Sequence, residues 1–410
     1  EFGASDGNPD LLFVRHNLAG QITGLSGPLP GMNVDYHTRF TLYSAEAQHL
    51  WQTEFQGVIA GARVQHGWNT GRSAIDRELT GPLTRDSVGE ELQRETAYAY
   101  YRIQPMPSLV AIVGLSYDHI NFPRNTQFAP LAEGNASSSQ LAPKAAITWS
   151  PWKKGAFRAS YSQSLGGLYF DNSVRLEPAQ LAGFNQAFRS IAPESVIGLI
   201  PGVAMETAGV GFDQIVGENL FVGIEAEWLS SSGDRTLGAF RNLGFAPTPD
   251  AAFALRQNVE FRERSVSAYA NRLLGAEWSL GVRYRLSESS YHNFFPEIPE
   301  TASGVDAFTR AQRSLLNQAV LDIRYQHPSG FFALAESTWM RQLNFGDPNA
   351  ESREDIWRHD LHIGYRFPKR RAEVRAGVLN LLNEDHRLNP LSFRDRSPRS
   401  RTFVTSLRLN

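Results

Sequence analysis

The sequence contains no cysteine among its 410 residues. This absence excludes disulfide bonds, thiol chemistry and the cysteine ligands of structural zinc sites, and it suits export through an oxidising compartment. No apolar run of about 18 residues occurs, so no transmembrane helix is predicted. The formal net charge of −2 argues against nucleic acid as a partner.

Motifs of catalysis and cofactor binding are also missing. The chain has no GxSxG, HExxH, P-loop or GxGxxG pattern in a suitable context. His359 and His362 are three residues apart, which on a strand places them on opposite faces. We therefore expect no metal, no cofactor and no enzymatic activity. Nor is there a leader sequence, and we interpret the chain, which opens at Glu1, as a mature or trimmed form.

What the sequence does contain is apolar and polar residues in strict alternation. In residues 278–287, Trp278, Val282 and Leu286 fall on one face of a strand, while Arg283 and Arg285 fall on the other. The same alternation recurs in stretches around 58–64, 157–161, 220–228, 357–367, 372–378 and 402–409.

Short and long connections also alternate along the chain. Tight turns are predicted near 55–57, 105–107, 151–155, 216–219, 273–277, 327–330 and 367–371. Long polar connections are predicted near 25–42, 69–91, 120–139, 165–201, 233–252, 288–311, 344–353 and 384–398. This rhythm predicts an all-β fold: a transmembrane antiparallel up-and-down β-barrel of about 16 strands, with short periplasmic turns and long extracellular loops. We predict an N-terminal tail over 1–9 and one outer-membrane barrel domain over 10–410, the first strand lying near 10–22.

The width of such a barrel decides which face meets lipid. A lumen enclosed by about 16 strands is too wide to be filled by Val, Ala and Leu, so the apolar face must contact lipid and the charged face must line water. Aromatic residues near the predicted strand ends suit interfacial girdles. The alternative is a soluble β-sandwich, solenoid or propeller.

Three stretches resemble a known family: PKAAITWSPWKKGAFRASYSQS (143–164), RLEPAQLAGFNQAF (175–188) and the C-terminal VLNLLNEDHRLNP followed by RTFVTSLRLN. They resemble the β-barrel of TonB-dependent receptor-like outer-membrane proteins, most clearly over about residues 140–410. The resemblance implies a location in the bacterial outer membrane and says nothing about the ligand.

The chain departs from that family in three respects. Members have about 22 strands, an N-terminal plug with a TonB-binding segment, and usually a C-terminal aromatic residue. Here there is room for about 16 strands, no plug-like sequence precedes the first strand, and the chain ends Leu409-Asn410. Energy-coupled uptake is therefore not carried over: either an N-terminal region is missing, or the barrel does not use TonB.

The charges predicted to face the lumen are the main candidates for function, because rings of charge select solutes. The alternative is a solvated wall of ion pairs. The candidates are Arg158, Glu225, Glu227, Arg283, Arg285, Arg358, Asp360, Arg366, Glu373 and Arg375.

Two loops are unusually apolar and are interpreted as a constriction or a ligand contact, or else as loops that pack on themselves. In the loop 165–201 the candidates are Tyr169, Phe170, Phe184 and Phe188, with a short helix predicted over 176–189. In the loop 288–311 they are Tyr291, Phe294 and Phe295.

The leading hypothesis is an outer-membrane barrel for solute passage or uptake, either a channel or a receptor-like transporter without its own plug. The alternative is a non-conducting barrel that anchors a periplasmic or cell-surface complex. Expected partners are the lipid bilayer and lipopolysaccharide, with a periplasmic or surface protein as a further candidate.

Overall fold

The computed structural model describes residues 2–6, 11–27, 32–77, 81–125, 129–166, 175–186, 201–243, 251–346, 352–384 and 400–409. Within these residues the fold is all-β, apart from short 3-10 turns at Val305–Ala307 and Pro368–Arg370. No helix in this part of the chain is long and apolar enough to cross a membrane.

The strands in chain order are β1 (Phe2–Asp6), β2 (Leu12–His16), β3 (Ile22–Ser26), β4 (Met32–Gln52), β5 (Gln56–Arg77), β6 (Gly81–Met106), β7 (Leu109–Asn125), β8 (Ala132–Trp152), β9 (Gly155–Leu165), β10 (Gln180–Leu181), β11 (Phe184–Asn185), β12 (Ala204–Val216), β13 (Leu220–Leu243), β14 (Ala251–Leu274), β15 (Trp278–Phe294), β16 (Arg310–Gln326), β17 (Phe331–Phe345), β18 (Arg353–Arg366), β19 (Ala372–Leu379) and β20 (Thr402–Leu409).

The wall is an antiparallel meander. Strands β4 to β9 and β12 to β20 pair in chain order, and β1 pairs with the edge of β4. These make sixteen wall strands in the described part of the chain, which confirms the predicted fold class. In the same part, no pairing joins β20 to β1 or β4.

The two ends of the wall differ as the sequence predicts. Strands join at one end through the short turns expected from the Pro- and Gly-containing sites, and we name this the short-turn end. The other is the long-loop end. The predicted long connections are mostly shorter than expected: β5 continues to Arg77, and β6 begins at Gly81. Polar residues do not end a strand, because the backbone ladder can continue beyond the apolar belt.

The first predicted strand, near 10–22, is wrong. This stretch forms β2 and part of a hairpin with β3, and residues Phe2–Asp6 instead form a wall strand against β4. The hairpin, residues 11–27, is named the outer hairpin. Its strand β2 pairs parallel with residues 239–243 of β13. This part of β13 extends beyond Ser232, where its pairing with β12 ends. The division of the chain at residue 10 stays a prediction.

The outer hairpin crosses the long-loop end of the wall. Phe13 stacks on Phe240 of β13, with ring centroids 5.4 Å apart, and packs in one cluster with Ile75 of β5. Strands β13 and β5 are far apart in strand order. The sheet therefore curls, and its inner face encloses a lumen.

The exposure of side chains is inverted relative to a soluble barrel. On β15, Ser287 and Ser289 face inward and are fully buried, whereas Val282 on the outer face is 48% exposed. Leaving a large apolar side chain in water forfeits about 1.5–3 kcal/mol of burial. Such side chains recur along the outer face of the wall, which indicates that this face contacts lipid.

Aromatic residues lie near the short turns, as predicted for an interfacial girdle. Trp278 and Tyr325 are in contact at 4.6 Å on neighbouring strands, and Tyr365 contacts Phe367 at 5.1 Å. All four lie next to turns at the short-turn end.

Candidate functional site in the barrel lumen

All ten charged residues predicted to line the lumen lie on the inner face of the wall, which they share with buried polar residues. Arg285 precedes the buried Ser287 on the same face of β15, and Arg358 and Arg366 share a face of β18 with the buried His362. Their contribution to function stays a prediction. As expected from their spacing, His359 points to the other face, where its ring stacks on Trp357. In the described part of the chain, no group of three His, Asp or Glu residues is arranged to hold a metal ion.

On β13 to β19 the lumen charges form a ladder of ion pairs. Arg285 lies 3.4 Å from Glu263 and 3.9 Å from Glu227, and Arg366 lies 3.0 Å from Glu373. A second step joins Arg358 to Glu336 at 3.6 Å and to Asp360 at 3.2 Å. Arg283 and Arg375 lie on the same inner face. Most of these side chains stay partly exposed, so this sector is a solvated, charge-balanced wall.

Arg158 on β9 is the centre of a different arrangement. Its guanidinium bonds to Asp213 at 2.5 Å, lies 3.7 Å from Glu225, and donates to the carbonyl oxygen of Ala182 at 3.0 Å. Ala182 belongs to the long loop between β9 and β12. Arg158 therefore connects the wall to a loop segment that has entered the lumen.

This segment, residues 175–186, is named the inner hairpin. It contains β10 and β11, joined by Ala182 and Gly183, whose φ angles of 47° and 87° are those of a tight two-residue hairpin turn. The helix predicted over 176–189 is therefore wrong for the described residues. The apolar pattern that predicted the helix is local, and the long-range contacts of the segment favour a hairpin instead.

The inner hairpin is held by a buried ion pair. Glu177 accepts from Lys144 of β8 at 2.9 Å and from the hydroxyl of Tyr100 at 2.6 Å, and Arg175 lies 3.8 Å away. The side chains of Lys144 and Glu177 are only 3% and 6% exposed. Burial alone would raise the pKa of the Glu177 carboxyl, but Lys144, Tyr100 and Arg175 outweigh it and hold the pKa below its ordinary value.

A second attachment fixes the start of the inner hairpin to β4. The backbone N–H groups of Leu176 and Glu177 donate to the Glu46 carboxylate at 2.8 and 3.1 Å. Gln48 donates to the carbonyl oxygen of Leu176 at 2.8 Å. These bonds satisfy polar backbone groups that would otherwise be left without partners. The segment is therefore attached to β4, β6 and β8 on one side of the lumen, in its short-turn half.

The third attachment is steric. The ring of Phe184 lies against Gly209 and Gly211 of β12, and a Cβ atom added at Gly209 would collide with it. The Arg158 guanidinium covers the same ring, 5.1 Å from its centroid. Two glycines on the inner face of β12 thus leave a notch that the phenylalanine fills, as expected where a second segment approaches a strand closely.

The predicted aromatic residues do not form one cluster. Phe184 fills the notch, whereas Tyr169, Phe170 and Phe188 lie outside the described residues. Tyr291 is buried on the inner face beside Phe261. Phe294 lies on the other face, near His292, and Phe295 packs with the outer hairpin.

Sequence reasoning missed the main attachments, Glu177, Tyr100, Glu46 and the two glycines. One available signal was the alternation of Gly209 and Gly211 within a strand, which marks a close backbone approach. The partners of Glu177 are far away in sequence, so no local pattern identifies them.

Comparison with known proteins gives a family for most of the chain. The family described as "TonB dependent receptor-like, beta-barrel" matches residues 13–381. No curated protein matches.

Solved structures match in fold. They include the FrpB iron transporter from Neisseria meningitidis (13% identity, TM-score 0.55, 92% of this chain and 58% of that one). The copper transporter OprC matches with 13% identity and a TM-score of 0.53 over 92% of this chain and 57% of that one. The FpvAI–pyocin S2 complex matches with 11% identity and a TM-score of 0.52 over 95% and 52%. The chain thus spans about half to three-fifths of the length of these structures.

Proposed function

Because this chain belongs to the TonB-dependent receptor-like β-barrel family of bacterial outer-membrane proteins, we propose that it forms the wall of a path by which a solute crosses that membrane. The short turns then face the periplasm and the long loops face outward. The observation that carries the proposal is a polar, charge-balanced lumen narrowed by the inner hairpin.

The inner hairpin supplies the constriction. It contacts β4, β6, β8, β9 and β12, and its attachment at Lys144 and Glu177 lies in the periplasmic half of the lumen. Opposite it, β13 to β19 present the half-exposed arginines and carboxylates. A solute passing through the lumen meets the fixed hairpin on one side and the solvated charge ladder on the other. These two surfaces determine which sizes and charges of solute can pass.

The test is conductance of the purified protein in a planar lipid bilayer, with a salt gradient to measure ion selectivity. We expect small stable steps from the native protein, with little preference between anions and cations because the lumen charges are balanced. Lys144→Met, which leaves Glu177 without its main partner, should release the inner hairpin and enlarge the steps. A folded protein that stays silent in both forms contradicts the proposal.

A second candidate is a non-conducting barrel that anchors a protein complex. The observation that favours it is obstruction at both ends, since the outer hairpin crosses the extracellular mouth and the inner hairpin narrows the periplasmic half from one side. One solved relative is a complex with a protein, pyocin S2. A partner chain that copurifies in stoichiometric amount, together with silence in the bilayer, would favour this candidate. That the protein is not an enzyme stays a prediction, and a hydrolase activity screen tests it.

A further inference from the structure

A serine and a histidine are in contact on the outer face of the wall. The hydroxyl oxygen of Ser139 on β8 lies 2.7 Å from Nδ1 of His119 on β7, which is hydrogen-bond distance. The two residues are direct partners in the strand register, so the backbone ladder holds their side chains next to each other. Ser139 is exposed and His119 is partly exposed, so a molecule outside the barrel has access to the pair.

A carboxylate lies on the other side of the histidine. Glu95 of β6 is the direct partner of His119 in the register and is exposed on the same outer face. Directly opposed residues have Cβ atoms about 4.5–5.5 Å apart, so a change of rotamer brings the Glu95 carboxylate to the imidazole. Within the described residues, no ion pair under 4.0 Å joins Glu95 and His119. Three adjacent strands thus present Glu95, His119 and Ser139 in one row.

This row lies at the boundary of the lipid-facing apolar belt. Toward the periplasm, the next residues on the same face are Ala97, Tyr117 and Leu141. Tyr117 and Leu141 are 48% and 59% exposed, as expected for side chains that contact lipid. The next row toward the outside is polar and contains Asn121 and Ser137. The row of three therefore lies at the height where the acyl chains of a lipid end and its ester groups begin.

We propose that Glu95, His119 and Ser139 form a serine-hydrolase site that cleaves the long-chain acyl esters of membrane lipids. A serine hydroxyl alone is a weak nucleophile, and a histidine at hydrogen-bond distance supplies the general base that activates it. A carboxylate on the far side of the imidazole orients the ring and stabilises its protonated form. The inference rests on the outer-membrane location and is independent of solute passage.

In the reaction, Oγ of Ser139 attacks the acyl carbonyl carbon while its proton passes to Nδ1 of His119. The ester C–O bond then breaks, and His119 returns this proton to the oxygen of the departing alcohol. Water next gives a proton to His119 and attacks the acyl-serine, which releases the fatty acid and restores the serine hydroxyl. Asn121, on the same face in the next row, supplies an amide N–H donor for the negative oxygen of the intermediate.

The sequence gives no sign of such a site, because its members come from three strands. Ser139 and His119 are 20 positions apart, and neither lies in one of the local motifs by which hydrolases are recognised. The prediction that the chain has no enzymatic activity was drawn from the absence of those motifs. It therefore does not cover a site assembled by strand pairing, and hydrolysis by the native protein would overturn it.

The test is hydrolysis of phosphatidylethanolamine vesicles by the purified protein, with released fatty acid as the measured product. Ser139→Ala and His119→Asn should each lower the rate by a factor on the order of a hundred or more, because the nucleophile or its base is lost. The matched control is Ser137→Ala, which removes a serine from the same face of the same strand and should leave the rate unaltered. Glu95→Gln should lower kcat about tenfold or more with KM unchanged, because Glu95 acts only through His119. Glu95→Asp should recover part of the loss.

A fluorophosphonate probe gives a second readout that needs no lipid. An activated serine displaces fluoride from its phosphorus atom, so peptide mass spectrometry should find the adduct on Ser139 of the native protein and none in His119→Asn. Lipopolysaccharide also carries acyl esters at this height, and release of its fatty acids in place of those of phosphatidylethanolamine would identify the glycolipid as the ester source. Equal rates for the native protein and Ser139→Ala overturn the proposal. So does a native protein in the heat-modifiable folded form that neither hydrolyses these lipids nor reacts with the probe.

Discussion

The two sides of the lumen use the same residue types in opposite ways. On β4 to β12, the pair of Lys144 and Glu177 is almost completely buried beneath the inner hairpin. On β13 to β19, Arg285 and Glu227 are about one-third exposed, at 34% and 35%. The buried pair fixes one arrangement of the chain, because an unpaired charge there is very costly. The exposed pairs adjust readily to solvent and solute. Ion pairs in a barrel lumen are therefore not equivalent. A buried pair attaches one segment of the chain to another, whereas an exposed pair stays in contact with solvent.

The largest effect should come from breaking the buried pair. Lys144→Met leaves the Glu177 carboxylate buried without its main partner, which costs about 3–5 kcal/mol. Hydrogen exchange of the amides in residues 175–186, followed by mass spectrometry, should accelerate more than a hundredfold. The double variant Lys144→Met/Glu177→Met removes both charges and should recover most of the protection. Unchanged exchange in the single variant would show that the pair does not hold the inner hairpin.

A smaller effect is expected from filling the glycine notch. Gly209→Ala places a methyl group against the ring of Phe184, and overpacking of this kind costs about 1–3 kcal/mol. Gly211→Ala is the matched control, since its nearest neighbours lie 3.2–3.3 Å from the added atom and can yield. The measurement is again amide exchange of the inner hairpin. Adding Phe184→Leu to Gly209→Ala should relieve the clash, and failure to do so would place the defect elsewhere.

Acid should loosen the inner hairpin less than the loss of Lys144 does. The pKa of Glu177 is lowered in the folded protein, so its contribution to stability is fully present above the ordinary value of 4.5. That contribution is lost as pH falls through the lowered pKa. Protonation leaves a neutral carboxyl that still bonds to Tyr100, so the loss is partial. Conductance steps measured from pH 7 to pH 3 should grow at the acid end, and Glu177→Gln should remove this growth.

The smallest effect on stability should come from the exposed ladder. Arg366→Gln breaks a partly exposed pair with Glu373, and such pairs contribute about 0–1 kcal/mol. The urea midpoint for loss of heat-modifiable mobility should hardly change, whereas the ion selectivity in the bilayer should shift toward cations. A large shift of the midpoint would mean that the exposed ion pairs stabilise the fold as strongly as the buried pair of Lys144 and Glu177.

The wall could be predicted from the sequence because its signal is local. In residues 278–287 the alternation itself assigns Val282 to lipid and Arg283 to the lumen, and the short turns mark the strand ends. For the inner hairpin, the sequence predicted only an apolar segment and did not assign it to the lumen or to the rim. Its conformation depends on Lys144, Tyr100 and Glu46, which come from three different wall strands. The prediction for the stretch near 10–22 failed for the same reason, since its partners, such as Ile75, Ala239 and Phe295, are far away in sequence.

The outer hairpin has a consequence for the order of assembly. Arg15 donates to Ser303 across 288 positions of sequence, and β2 pairs with the far end of β13. Closing so long a loop is entropically unfavourable until the receiving surface exists. The hairpin near the start of the chain therefore docks only after β13 and the segment that carries Phe295 and Ser303 are in place. A newly inserted barrel passes through a stage with an uncovered extracellular mouth, and the covering is a late step in its maturation.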